Sequence, residues 1–124
     1  MTIPRRKHRN SGRQNEGKRF PAHLQFVRGF ACLVENNECT GRIEAMHVDY
    51  AGGKGVSMKV SDAFTVPGCS GHHAEQTRTG WQTFERKYGV DALAVAKNIA
   101  RLSPSLIKAA RALGHDAGPQ EDME

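Results

Sequence analysis

The chain of 124 residues contains no run of 18 apolar residues, and no apolar stretch follows its basic start. It is therefore read as neither membrane-spanning nor secreted, with a cytoplasmic location expected. Aromatic residues are scarce at 6%, and only 38% of the chain is hydrophobic. A core drawn from so little apolar material is thin, which makes a metal staple a reasonable expectation. The three cysteines cannot all pair in internal disulfides, and in a reducing compartment a Cys/His cluster points to metal rather than to oxidation. No internal repeat is visible.

Positive charge is present but unevenly placed. Residues 1–19 hold Arg5, Arg6, Lys7, Arg9, Arg13, Lys18 and Arg19 against the single acid Glu16, a local charge of +6 in a chain whose total is +5. The basicity belongs to this arm, which lacks apolar periodicity and is expected to be disordered. Such an arm either keeps the protein soluble or neutralises phosphates. Residues 20–90 are expected to form the ordered module, 91–115 a helical extension, and 116–124 an acidic flexible tail.

Within the module, Leu24, Phe26, Val27 and Phe30 are apolar anchors leading to Cys32, and residues 33–38 form a polar-tipped turn before Cys39. Alternation of Ile43, Ala45 and His47 with Arg42, Glu44 and Met46 predicts a short strand. A second extended stretch is expected around residues 63–66, ended by Pro67–Gly68. A helix then runs from about Ser70 to Arg78 with a stop near Gly80, and another spans Trp81–Tyr88 before Gly89. Asp91 is placed to cap a helix reaching about Arg101, and Ser103–Pro104 to start a last one ending near Leu113.

Two ligand pairs stand out, Cys32-x6-Cys39 and Cys69-x2-His72. Zinc takes four such donors in a tetrahedron. One pair would come from a turn, the other from the first turn of a helix, where positions three apart sit side by side. With four protein ligands, the zinc would be structural. The plainer alternative is three buried cysteines acting as small hydrophobes. His73 follows His72 on the same helix, so the two point in different directions. His73 is thus free to join His47 of the preceding strand in a second site. Imidazole is suited to take a proton from water, and a bound divalent cation to stabilise charge developing on phosphate.

These residues together resemble the HNH endonucleases. The resemblance covers about residues 32–88: Cys32, Cys39, Glu44-Ala45-Met46-His47, the loop Gly52-Gly53-Lys54-Gly55, and most specifically the run Ser61 to Gln76. The nearest group is the phage and prophage set related to the RecA-dependent nuclease of a temperate phage. The resemblance implies an α+β fold: a small ββα-metal module, zinc-knuckle or treble-clef-like, with added C-terminal helices. It implies that His47 is the general base, that Asp62 stands for the central Asn bracing the loop, and that His73 binds the catalytic ion. Cys32, Cys39, Cys69 and His72 match the zinc ligands.

Two positions depart from the family pattern. Met46 replaces the His or Asp that precedes the base, and Thr77 replaces a second helix ligand; neither suits Mg²⁺ or Mn²⁺ well. By strand alternation Glu44 should leave the face opposite to His47, so Asp49 is the better compensating ligand. The expected activity is hydrolysis of DNA phosphodiester bonds with structural Zn and a catalytic Mg or Mn, or Zn in that role, in DNA processing or recombination. Lys54, Lys59, Arg78 and the basic arm would hold phosphates. The rival is a catalytically degenerate zinc module that binds nucleic acid or a recombination protein. A third reading is a regulator using the apolar stripe of residues 92–113 for a protein partner, against ordinary packing of that stripe onto the module.

Overall fold

Pro21 sets the first helix. Its fixed φ and missing N–H suit the first helical position, and α1 runs Pro21–Val27 with His23 and Val27, four apart, buried on one face. The stretch read from sequence only as apolar anchors is therefore partly helical. The computed structural model describes residues 19–51, 60–112 and 114. The basic arm up to Lys18, the glycine loop with Lys54 and Lys59, Leu113 and the acidic tail lie outside the described residues.

After a loop carrying Cys32 and Cys39, β1 (Ile43–His47) pairs antiparallel with β2 (Thr65–Cys69), Ile43 facing Cys69 and His47 facing Thr65. A 3₁₀ turn, Asp49–Ala51, follows β1. The second strand does not stop at Pro67–Gly68 but passes through both. A two-stranded sheet has only edges, where proline is tolerated, and the Pro67 carbonyl accepts the Leu33 N–H at 2.8 Å. Gly68 lies directly over Met46: a Cβ there would come within 2.5 Å of the Met46 methyl carbon.

Four helices complete the described residues: α2 (Ser70–Thr79), α3 (Trp81–Tyr88), α4 (Ala92–Leu102) and α5 (Pro104–Ala112). Their ends follow local chemistry. Gly80 breaks the chain between α2 and α3 at φ 89°, and Gly89 closes α3 in the left-handed region at φ 66°. The Asp91 carboxylate accepts the Ala94 N–H at 3.1 Å and caps α4. Ser103, by contrast, is fully buried, and its hydroxyl pairs with His23 Nδ1 at 2.8 Å, tying α1 to the start of α5. Burial lowers the His23 pKa, partly opposed by the nearby Asp62 carboxylate.

The core gathers where the hairpin meets the helices. Met46 and Val66 from the strands and Val48 just after β1 meet Trp81 and Phe84 of α3, and Ala92 and Ala96 of α4. Helix α2 packs on both strands and on α3, α4 on β2 and α5, and α1 on both strands and α5. Among the described residues no helix is long and apolar enough to cross a membrane. Phe84 is 1% exposed and its ring packs against Trp81, His72 and Tyr88. Phe84→Ala is expected to destabilise the fold by about 3–5 kcal/mol, measured by denaturant unfolding.

Candidate metal centre and histidine pairs

The loop before β1 delivers Cys32 and Cys39, β2 ends on Cys69, and the first turn of α2 supplies His72. One ligand atom from each lies within 4.8 Å of all the others. Two glycine-dependent approaches make this possible. Gly41 has φ +79°, and a Cβ there would meet the Ser70 side chain at 2.6 Å. The loop can therefore close tightly on the start of α2, where the Gly71 N–H donates to the Thr40 carbonyl at 3.1 Å.

The distances identify what the cluster suits. His72 Nδ1 lies 3.6 Å from Cys32 Sγ, 3.6 Å from Cys39 Sγ and 3.2 Å from Cys69 Sγ. A single ring nitrogen has one bonding direction and cannot hydrogen-bond three sulfurs. Donors arranged tetrahedrally at zinc bond lengths stand about 3.5–3.6 Å apart for an S···N pair. The other ring nitrogen, Nε2, is buried, with no hydrogen-bond partner among the described residues. The ring sits nearly perpendicular to Tyr88, centroids 5.3 Å apart, so it is held by packing. The four residues can hold a metal ion, and thiolate-rich tetrahedral donors suit zinc.

The sulfurs are themselves hydrogen-bonded. Cys69 Sγ accepts the N–H groups of Thr40 and His72, each at 3.4 Å, and Cys32 Sγ accepts the Cys69 N–H at 3.3 Å. Burial opposes ionisation of Cys69, but the backbone donors of His72 and Thr40 and the His72 ring outweigh it and bring the thiol down to about 6. At Cys32 burial dominates and pushes the thiol up.

Of the remaining predicted residues, His47, Asp62 and His73 enter two pairs, the second completed by Glu44, and Asp49 enters neither. His47, the last residue of β1, has Nε2 2.9 Å from Asp62 Oδ1, and its side chain is 41% exposed. The second Asp62 oxygen accepts the Phe20 N–H at 2.8 Å, at the entry to α1. The His47 carbonyl in turn accepts from Trp81 Nε1 at 3.1 Å. On α2, His73 Nδ1 lies 2.6 Å from Glu44 Oε1, while the Ser70 hydroxyl donates to Glu44 Oε2 at 3.0 Å. The His73 and Ser70 bonds hold the Glu44 carboxyl below its usual range. This pair borders an open groove of about 470 Å³, further lined by Ala74, Thr77 and Arg78.

Sequence reasoning passed over Glu44 in favour of Asp49. The strand ends at His47, so the alternation that would carry Asp49 onto the His47 face stops short of it; Asp49 begins the 3₁₀ turn. Met46 is 1% exposed, inside the core. Among the described residues, Cys32, Cys39, Cys69 and His72 are the one set of three or more metal-binding side chains that converges. Comparison with protein-family models, curated proteins and solved structures finds no match for this chain.

Purified protein is expected to carry about one zinc per chain, with His72→Ala and Cys69→Ser losing it, as read by elemental analysis. Binding should weaken in acid. The folded Cys69 ionises near pH 6 against a reference of 9.0. Its thiolate therefore favours the fold fully above the reference value, and that contribution is lost as pH falls through about 6. Cys32 acts in the opposite sense, its raised pKa favouring the neutral thiol. Because metal requires all three sulfurs deprotonated, cobalt titrations followed by thiolate charge-transfer absorbance should show affinity falling as pH is lowered, most steeply once Cys69 too is protonated below about 6.

Proposed function

We propose that this protein is an HNH-type, metal-dependent phosphodiesterase acting on DNA, with His47 as the general base. The observation that carries the reading is the His47–Asp62 pair, an exposed imidazole held by a carboxylate at 2.9 Å at the end of a strand. A carboxylate only accepts hydrogen bonds, so Nε2 carries the proton and Nδ1 keeps the lone pair. The Phe20 N–H on the second carboxylate oxygen stops Asp62 from rotating away. The Trp81 bond to the His47 carbonyl fixes the backbone beneath the ring. The pair thus has the form of a base oriented by a second group, suited to withdraw a proton from water attacking phosphorus.

Glu44 and His73 are the residues that would hold a divalent cation. One carboxylate and one imidazole, with water completing the set, suit Mn²⁺ or Mg²⁺ bound at an open groove. Such an ion supplies stabilisation of negative charge on the phosphate oxygens. Arg78, on the same groove, would hold a neighbouring phosphate. The four-donor cluster serves as a structural zinc site, joining the loop to the strand–helix junction next to the Glu44–His73 pair. DNA processing or recombination in a phage or prophage setting is the biological role this reading favours.

A second reading, a non-catalytic zinc module that binds nucleic acid, is favoured by one specific observation. Met46, where the family places a metal ligand, is 1% exposed and packed under Gly68. The two readings diverge in a nicking assay on supercoiled plasmid with Mn²⁺ or Mg²⁺. Metal-dependent nicking is expected, falling about 100-fold or more in His47→Ala. Glu44→Gln should raise the Mn²⁺ concentration required and leave the zinc content unchanged. Binding that falls with salt, without metal-dependent nicking, would decide for the second reading.

A further inference from the structure

The 3₁₀ turn that follows His47 presents an aromatic side chain to solvent. Tyr50 is 47% exposed, and it and Leu102 are the exposed large hydrophobic residues among those described. An exposed tyrosine ordinarily swings freely, but this one is held at several points. Its hydroxyl donates to Glu85 Oε2 at 2.5 Å. Its ring meets the Trp81 ring edge-on, centroids 6.4 Å apart and planes at 81°. The backbone beneath is closed by the Ala51 N–H donating to the Val48 carbonyl at 3.0 Å. Glu85 is itself fixed, because the same oxygen accepts the Ala92 N–H at 2.8 Å.

The restraint connects to the candidate base. Trp81, which packs against Tyr50, is the residue that donates to the His47 carbonyl. One indole therefore holds both the backbone of His47 and the ring three residues later. A ring fixed in this way loses little further conformational freedom when a flat ligand stacks on it.

We propose that Tyr50 is a stacking platform for an unpaired nucleobase, which makes the protein prefer single-stranded or unpaired nucleic acid over duplex. The inference rests on the nucleic-acid reading given above. The chemistry favours a base over a phosphate at this point. Glu85 lies at the ring's hydroxyl and Asp91 nearby, so a phosphate placed on the ring would meet like charge. A neutral base offers a π-face to the tyrosine and amino groups to the carboxylates. In a duplex, bases are already stacked on each other and their faces are closed to the ring. Stacking of this kind tolerates any sequence, because every base has a π-face.

The test uses full-length, zinc-loaded protein at fixed salt with no other divalent ion, so that binding is read without cleavage. The probes are a fluorescein-labelled mixed-sequence single strand and the blunt duplex of the same strand, followed by anisotropy. The chain has one tryptophan, and its emission reports on contact at the neighbouring Tyr50. Wild type is expected to bind the single strand more tightly and to show quenched tryptophan emission with it. Tyr50→Leu, which keeps bulk but has no aromatic face, should weaken single-strand binding about tenfold and leave duplex binding within about twofold. Tyr50→Phe and Tyr50→Trp should stay within about threefold of wild type on the single strand, which separates stacking from loss of the Glu85 bond. If Tyr50→Leu binds the single strand as wild type does, or weakens both probes equally, the platform is overturned and nucleic-acid binding stands. If wild type binds neither probe, the nucleic-acid reading falls and the platform falls with it.

Discussion

The junction at Cys69 is the constraint from which the rest of the molecule takes its position. This residue ends β2, caps α2 with its sulfur and faces Cys32, Cys39 and His72. A strand, a helix and a distant loop are thus fixed at one point, with sulfur chemistry in place of a large apolar core. With the sheet reduced to two strands and the core built around Phe84, Met46 and a few valines, packing alone would set the helix orientation loosely. A metal held by the donors of residues 32, 39, 69 and 72 would supply binding free energy against the chain entropy that such a core alone offsets poorly.

The orientation of α2 decides the surroundings of His73. His72 is turned inward to the sulfurs, and the next residue is rotated by about 100° toward Glu44 on β1. The Cys32–Cys39–Cys69–His72 cluster and the Glu44–His73 pair are therefore mechanically linked: any rotation of α2 that weakens one displaces the other. The His47–Asp62 pair is set by different contacts, through Phe20 at the start of α1 and Trp81 on α3. The two pairs share β1, but their supports come from different elements.

What could be read from sequence divides along the range of the forces involved. The spacing of Cys69 and His72, the glycines at 80 and 89 and the cap at Asp91 act within a turn of chain, and each marks the feature expected of it. Convergence of Cys32 and Cys39 on that pair was inferable because few alternatives suit cysteines and a histidine so arranged. Helix α1 was less visible, since seven residues carry little periodicity and its stability comes from burying His23 and Val27. Continuation of β2 through Pro67 and Gly68 depends on the sheet having no third strand among the described residues, a tertiary fact. The partner of His73 depends on how α2 is rotated against β1, which spacing along either element does not specify. Ser103 has the residue type of a helix cap, yet its hydroxyl is taken by His23, eighty positions away.

Met46 shows how a thin core and a polar surface compete for the same strand. A buried methionine side chain is worth about 1.5–3 kcal/mol, a large contribution where so few apolar residues are available. An aspartate or histidine at this position would lie under Gly68 and lose that burial, and it would need either a bound cation or a hydrogen-bond partner to offset its desolvation. Gly68 and Met46 are matched, since a side chain at 68 would collide with the thioether. Once the strand is committed to packing at 46, the nearest outward carboxylate on α2's side of the strand is Glu44. Its bonds to both His73 and Ser70 place the one acidic side chain of β1 at the edge of the groove, where charge costs little. Methionine at 46 and the pairing at 44 are then two consequences of the same shortage of apolar material.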